Sequence, residues 1–209
     1  MAKIFRVSAR AGMTRVVEPV ARRLLRLGVS PNAVTVAGTV GVLVGALGFG
    51  ARGHLITGLV IVTLSALTDM LDGTMARLSG GSTTFGAFLD SSLDRVADAA
   101  IFGAVTYWLA VTGHHWGAVA GLICLTAGQI VSYVKARAEG LGMTCNVGIA
   151  ERPERLITVG VGGLLSGVHL DWGLPAALWV LAVLSVVTVA QRILHVYRQS
   201  RRATQSADA

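Results

Sequence analysis

Four aspartates within two otherwise apolar stretches constrain this 209-residue chain more than any other feature. Asp69 and Asp72 are three residues apart, and Asp90 and Asp94 are four residues apart. On a helix, each spacing puts both carboxylates on one face, one turn from each other. An ionised aspartate at the centre of a membrane helix costs about 3 kcal/mol on insertion scales. Four of them would threaten insertion of both stretches unless positive charge compensates.

The residues around the carboxylates indicate what supplies that charge. The only nearby side-chain cations are expected to be Arg77 and Arg95, so the carboxylates outnumber them two to one. Oxygen-rich sites that are short of protein cations suit Mg²⁺ or a similar hard divalent ion. Gly73, Ala76 and Gly86 leave room for a ligand near the backbone, and the planar fork of Arg77 suits phosphate oxygens. The stretch therefore predicts a metal-assisted clamp on a diphosphate.

Composition places these carboxylates in a membrane protein. The chain is 53% hydrophobic and has a mean hydropathy of +0.66, with only 14% charged residues, against about 25% in soluble globular proteins. It has room for six spans of about 20 residues. The net charge of +7 comes from cations at the span ends, so anionic lipid and phosphate are expected partners rather than nucleic acid. We expect an all-α integral membrane protein.

The chain divides into three parts. Residues 1–30 interleave cations with apolar side chains, which predicts an amphipathic helix in the membrane interface, with a disordered basic arm as the alternative. Residues 31–198 are expected to form a domain of six transmembrane helices that carries the diphosphate site, and residues 199–209 are expected to be a disordered tail. The predicted spans are residues 32–50, 55–78, 86–112, 116–138, 154–168 and 174–196.

Charge distribution predicts the orientation of these spans. Six spans put both termini on one side of the membrane, and that side receives 17 of the 18 Lys and Arg residues, all except Arg52. By the positive-inside rule this side is cytoplasmic. All four aspartates lie near the same face, so we expect a multi-pass protein of the cell membrane whose site faces the cytoplasm.

The aspartate stretch resembles the signature of the membrane CDP-alcohol phosphotransferases. This resemblance implies transfer of a lipid phosphoryl group from a CDP-linked donor. It also implies two Mg²⁺ ions (or Mn²⁺) held by the four aspartates, with Asp94 also acting as the general base. The matching positions read Asp69-x2-Asp72-Gly73-x2-Ala76-Arg77-x8-Gly86-x3-Asp90-x3-Asp94.

The same resemblance implies a set of contacts to the donor, CDP-diacylglycerol. The run Pro31-Asn32-Ala33-Val34-Thr35 is similar to a family run found near the cytidine nucleotide, although Asn32 could simply cap its helix. Thr83 could bind a phosphate or base, or merely shape a turn. The implied donor-binding residues are Asn32, Thr35, Gly73, Ala76, Arg77, Thr83 and Gly86.

Cations from the ends of three later spans point to a phosphorylated acceptor. In a compact bundle these side chains could converge beside the aspartates, and Arg and Lys bind phosphate strongly. The alternative is that the positive-inside rule alone accounts for them. The cations are Lys135, Arg137, Arg152, Arg155 and Arg192.

Residues 131–139 and 151–157, with Gln191, Arg192 and His195, resemble bacterial phosphatidylinositol phosphate synthases. Those enzymes join CDP-diacylglycerol to inositol 1-phosphate and are homodimers. The resemblance implies that the inositol phosphate is bound by Lys135, Arg155 and Arg192, with Ser132 and Arg152 as further candidates.

Two other functions remain open from the sequence alone. A phosphatidylglycerophosphate synthase uses the same donor with glycerol 3-phosphate and also needs a basic acceptor pocket. A divalent-cation transporter would also place carboxylates in a membrane, but here they cluster at one face. Asp98 continues the aspartate face one turn deeper than Asp94. It lies outside the family signature, and pairing with Arg95 is its simplest explanation.

Overall fold

A computed structural model describes residues 17–207 of the chain. All regular structure in this range is helical, and residues 17–26 form the first helix, α1. The other helices are α2 Pro31–Leu43, α3 Leu55–Ala66, α4 Thr68–Leu78, α5 Thr84–Val111, α6 His115–Gly140, α7 Arg152–Gly167 and α8 Gly173–Ala207. The all-α class predicted from the sequence is confirmed.

Two of the predicted spans are each built from more than one helical segment. The first starts where Ser30 caps α2 by accepting a hydrogen bond from the Ala33 N–H. It continues beyond α2 through a π-helical segment, Val44–Phe49, and a 3₁₀ turn, Gly50–Arg52. The second consists of α3 and α4, which meet at Leu67. This break lies just before the first two aspartates of the site.

The helices pack as a closed ring. In order around the ring, α2 contacts α5, α5 contacts α6, α6 contacts α8, α8 contacts α7, α7 contacts α3, and α3 returns to α2. Small residues permit close packing. A Cβ atom on Gly38 would lie 2.0 Å from Thr68 Oγ1, and one on Gly41 would lie 2.2 Å from Ser65 Oγ. Glycine at these two positions therefore permits the close packing of the first span against the second.

Four segments of the described chain are long and apolar enough to cross a membrane, which makes this a multi-pass membrane protein. They are Pro31–Arg52, Leu55–Leu78, His115–Gly140 and Gly173–Arg202. Helix α5 does not qualify because it carries several charged residues, and α7 is only 16 residues long. Six spans therefore remain a prediction.

Helix α1 lies against the end of the ring where α2 begins and α4 ends. Ala21 is fully buried and packs with Val34 and Met75, while Arg22 and Arg23 are exposed. This distribution is amphipathic. The rest of the predicted interfacial helix, residues 1–16, lies outside the described residues.

Helix α8 continues to Ala207, through most of the segment that was expected to be a disordered tail. Gln199 gives the physical reason. Its side chain donates a hydrogen bond to Thr144 Oγ1 and accepts one from the Thr144 N–H, so the start of this segment is fastened to the loop after α6. Charge and polarity in this segment gave no signal of that contact.

Candidate active site

A cavity of about 520 Å³ opens where α2, α4 and α5 meet, and we call it the aspartate cavity. All four aspartates of the signature line it. So do six of the seven residues predicted to bind the donor. The predicted residues in its wall are Asn32, Thr35, Asp69, Asp72, Gly73, Ala76, Thr83, Gly86, Asp90 and Asp94.

The start of α2 and the start of α5 are held together at this cavity. Thr83 caps α5 by accepting a hydrogen bond of 3.0 Å from the Gly86 N–H. A Cβ atom on Gly86 would lie 3.1 Å from Asn32 Oδ1, so glycine permits the close approach of the two helices. Across the cavity, Thr35 donates a hydrogen bond of 2.6 Å to Oδ2 of Asp72, which is buried. Thr35 therefore orients a carboxylate as well as lining the wall.

Arg77 lies outside this wall. Its side chain is exposed, and Nη2 donates a hydrogen bond of 2.9 Å to Thr74 Oγ1. The guanidinium still passes close to the cavity, because a Cβ atom on Gly73 would be 3.9 Å from Arg77 Nη1.

Arg152 supplies a charge that the count of neighbouring cations missed. Its Nη1 lies 3.0 Å from Asp69 Oδ2 and 2.8 Å from Asp94 Oδ1, and its Nε lies 3.3 Å from Asp98 Oδ1. The inference that only Arg77 and Arg95 lie near the carboxylates is therefore wrong. Arg152 starts α7, 83 residues from Asp69 in the chain, so only the tertiary fold brings it here.

The donor set nevertheless fits a hard divalent cation, because four carboxylates line one cavity. Within residues 17–207, no three His, Cys, Asp or Glu side chains are arranged to hold one ion jointly. The Arg152 guanidinium lies between Asp69 and Asp94 instead. One oxygen of each of these carboxylates, Oδ2 of Asp69 and Oδ1 of Asp94, is thus paired with a cation of the protein.

A second cavity, of about 820 Å³, lies between α5, α6 and the start of α7, and we call it the arginine cavity. All five residues predicted to bind the acceptor line it, whereas Arg137, the other cation at the ends of the later spans, does not. The Lys135 side chain is well exposed and 3.9 Å from Glu139. The five predicted residues in its wall are Ser132, Lys135, Arg152, Arg155 and Arg192.

The two most buried cations of this cavity differ in how they are held. Arg192 donates to the carbonyl oxygens of Val131 at 2.6 Å and Val147 at 2.8 Å, and pairs with Glu151 at 3.1 Å. Arg155 pairs with Asp98 through Nη2, but its Nε and Nη1 are buried and find no hydrogen-bond partner in the described part of the chain. Unpaired buried donors are rare in native proteins and call for an explanation.

Asp94 and Arg152 form a wall common to both cavities, since each lines the aspartate cavity and the arginine cavity. Arg152 also lines a third, apolar cavity of about 300 Å³ between α3 and α7, which we call the apolar cavity. A group bound in either polar cavity would therefore lie next to Asp94.

Three residues of the site make contacts that the sequence analysis did not predict. Arg95 donates a hydrogen bond to Ser132, and Glu151 holds Arg192. The explanation of Asp98 as a partner of Arg95 is incomplete, because its contact with Arg95 is 3.8 Å whereas that with Arg155 is 2.6 Å. Its position one turn beyond Asp94 was the available signal, but the sequence could not reveal partners on α7.

Comparisons with known proteins agree with this site. The model of the CDP-alcohol phosphatidyltransferase family matches residues 28–197. The chain belongs to this family and is a phosphatidyltransferase, which confirms the family predicted from the aspartate signature.

Individual relatives are more specific. The chain is 48% identical to a phosphatidylinositol phosphate synthase of Mycobacteroides abscessus over 92% of this chain and 88% of that protein. It is 46% identical to a protein of the same name from Streptomyces avermitilis, over 96% and 86% of the two chains.

Solved structures of the Mycobacterium tuberculosis phosphatidylinositol phosphate synthase have the same fold. The structure with CDP-DAG bound has a TM-score of 0.84 and 43% identity, covering 88% of this chain and 94% of the other. The structure in complex with manganese and citrate has a TM-score of 0.82 and 42% identity, covering 87% and 88%.

Proposed function

We propose that this protein is a phosphatidylinositol phosphate synthase that transfers the phosphatidyl group of CDP-diacylglycerol to inositol 1-phosphate and releases CMP. The observation that carries the proposal is the common wall of two cavities. One is lined by the aspartate signature and the other by the predicted acceptor-binding residues, and Asp94 faces both. The names of the relatives support the same acceptor.

The aspartate cavity is the proposed site of the donor's nucleotide and diphosphate. Asn32 and Thr83 offer polar groups at its rim, and Gly73 and Gly86 let the ligand approach the backbone. The apolar cavity, which meets this site at Arg152, offers a place for acyl chain. The M. tuberculosis protein with CDP-DAG bound supports this donor.

Asp69, Asp72, Asp90 and Asp94 are the proposed ligands of two divalent ions, Mg²⁺ or Mn²⁺. Such ions, when bound, neutralise charge on a diphosphate and on the departing nucleotide. The manganese complex of the M. tuberculosis protein supports metal binding. In this chain, Thr35 fixes the orientation of Asp72 by its hydrogen bond.

Asp94 is the proposed general base. It would accept the proton of an acceptor hydroxyl, whose oxygen attacks the lipid-linked phosphorus as the bond from that phosphorus to CMP breaks. Its place in the wall of both cavities supports this role, because the acceptor hydroxyl and the donor phosphorus must meet there.

The arginine cavity is the proposed site of the acceptor phosphate. Lys135 is accessible, and Arg155 has two unpaired donors. Arg192 shapes the cavity by holding the loop before α7 through Val147. Ser132 and Arg152 complete the polar wall. An anion bound here would gain charge-assisted hydrogen bonds from several groups at once.

In the membrane, we infer six spans with both termini and both polar cavities on the cytoplasmic side. Helix α5 has 28 residues, which at 1.5 Å per residue reaches about 42 Å and exceeds the hydrocarbon thickness. Of its charged residues, Asp90, Asp94 and Arg95 line the polar cavities and Asp98 pairs with Arg155 of α7. Helix α7 itself packs between α3 and α8. Exposed arginines of α1 would then meet the anionic surface of the cytoplasmic leaflet.

A direct assay tests the function. Purified protein in detergent with Mg²⁺ and CDP-diacylglycerol is offered inositol 1-phosphate, glycerol 3-phosphate or free inositol, and CMP release and lipid product are measured. We expect product with inositol 1-phosphate alone. Product with glycerol 3-phosphate instead would overturn the acceptor assignment. Light scattering of the same sample tests the homodimer that the resemblance implies.

A further inference from the structure

One buried carboxylate holds three arginines at the back of the arginine cavity. Asp98 Oδ2 lies 2.6 Å from Arg155 Nη2 and 3.8 Å from Arg95 Nη2, and Oδ1 lies 3.3 Å from Arg152 Nε. The Asp98 side chain is 4% exposed. Asp98 therefore belongs to the polar interior of the bundle and not to its surface.

The two oxygens of Asp98 have separate partners on α7. Oδ1 accepts a hydrogen bond from Nε of Arg152, and Oδ2 accepts one from Nη2 of Arg155. These arginines are three residues apart on one face of that helix. Because both contacts come from one rigid carboxylate, they fix the two guanidinium groups relative to each other and to α5. Both arginines line the arginine cavity, whereas Asp98 itself does not.

One arginine of the cluster lacks a full set of hydrogen-bond partners. Arg155 donates to Asp98 through Nη2, but its Nε and Nη1 are buried without hydrogen-bond partners in the described chain. Arg152 is also paired with Asp69 and Asp94, which belong to the aspartate cavity. Leaving buried donors unpaired is costly. An anionic ligand in the arginine cavity would supply acceptors for these donors.

We propose that Asp98 is a positioning residue that aims Arg152 and Arg155 at the phosphate of the acceptor, and so sets the affinity for that substrate. The inference rests on the proposed function, because the acceptor is taken to be a sugar phosphate. Asp98 touches neither substrate. It acts through the two arginines, whose positions it fixes before the acceptor binds.

The test compares Asp98→Asn with the wild-type protein in the metal-loaded assay, varying one substrate at a time. We expect the KM for inositol 1-phosphate to rise by about 10- to 100-fold, since small misplacement of a binding group has effects of this size. The KM for CDP-diacylglycerol should stay within about twofold, because the aspartate cavity keeps its four carboxylates. Calorimetric binding of inositol 1-phosphate should weaken by the same factor as the KM.

Thr106→Val is the matched control. Thr106 lies on the same helix, and its hydroxyl is also buried, but without a hydrogen-bond partner among the described residues. This variant should leave both KM values unchanged. If Asp98→Asn does not fold, Asp98→Glu, which keeps the charge on a longer side chain, is assayed in its place. We expect the acceptor KM of Asp98→Glu to rise as well, by a smaller factor.

Equal changes in both KM values, or a lower kcat with an unchanged acceptor KM, would overturn the positioning role. The wild-type assay separates this result from failure of the proposed function. If wild-type protein uses glycerol 3-phosphate instead of inositol 1-phosphate, the proposed function fails. The KM for glycerol 3-phosphate then becomes the readout that supports or overturns the role of Asp98.

Discussion

Nη1 of Arg152 lies 2.8 Å from Oδ1 of Asp94, and this ion pair separates the aspartate cavity from the arginine cavity. The pair joins the residue proposed as general base to a residue proposed to bind the acceptor. A cation so placed orients the Asp94 carboxylate in this structure. The predictions below follow from this arrangement and from the helices that support it.

Replacing Asp94 with asparagine keeps the size of the side chain but removes the proton acceptor. We expect turnover to fall by at least about 10²-fold, a typical contribution of general-base catalysis. Binding of CDP-diacylglycerol should remain, because three carboxylates still line the cavity. Measured CMP release and donor binding check both statements. Asp171→Asn, at an exposed position before α8, is the control. If donor binding falls as much as turnover, Asp94 acts as a metal ligand and not as the general base.

Replacing Arg152 with glutamine should strengthen metal binding while weakening the acceptor site. The guanidinium competes with a cation for Asp69 and Asp94, and one partly exposed ion pair is worth up to about 1 kcal/mol. We therefore expect Mn²⁺ to bind about fivefold more tightly, as measured by calorimetry without substrates. Arg22→Gln, on the exposed face of α1, should leave the Mn²⁺ affinity unchanged. Weaker Mn²⁺ binding to Arg152→Gln would contradict competition between the guanidinium and the metal ion for the two carboxylates.

Gly86→Ala should selectively disturb the donor site. The added Cβ would lie 3.1 Å from both Asn32 Oδ1 and Thr83 Oγ1, tighter than ordinary contact, so α2 and α5 must separate slightly. We expect the KM for CDP-diacylglycerol to rise on the order of tenfold with little change in the acceptor KM. Gly103→Ala on the same helix meets no atom within 4 Å and should leave both values unchanged. If Gly86→Ala and Gly103→Ala change the KM for CDP-diacylglycerol equally, the close approach of α2 and α5 at Gly86 does not shape the donor site.

Thr188→Val should destabilise the loop that leads into α7. Thr188 Oγ1 accepts hydrogen bonds from the Ile149 and Ala150 N–H groups, and the threonine is fully buried. Leaving buried donors unpaired costs about 1–3 kcal/mol each, so we expect a lower Tm in detergent and a higher acceptor KM.

The control for this variant lies one turn away on the same helix. Ser185 is also fully buried, but its hydroxyl has no hydrogen-bond partner in the described chain. Ser185→Ala removes no hydrogen bond and should leave Tm unchanged or higher. If Ser185→Ala lowers Tm as much as Thr188→Val, loss of packing rather than of hydrogen bonds explains both.

Local sequence signals were sufficient to predict most of the helices. The predicted span 55–78 coincides with α3 and α4 together, because a long apolar run is bounded by Gly53 and by the glycines after Leu78. The fifth predicted span begins at residue 154, within two residues of the start of α7 at Arg152, where Pro153 lies in the first turn. Spacing within the signature likewise placed all four aspartates in one cavity.

Local sequence signals could not predict the contacts between distant parts of the chain. Nothing near Asp69 or Asp94 in sequence indicates that Arg152 lies between them, and the charge count therefore omitted it. The helical tail is a similar case, since Gln199 meets Thr144 only after α6 and α8 have packed. Burial and pairing of charges depend on which helices become neighbours, and periodicity does not specify the neighbours.

The position of Arg152 in the walls of three cavities restricts how this enzyme can change. A substitution there would change the walls of all three cavities at once, so a change confined to the arginine cavity has to come from positions that line this cavity alone, such as Tyr133 and Lys135. An inhibitor anchored on Arg152 would leave few single substitutions that confer resistance and still preserve turnover.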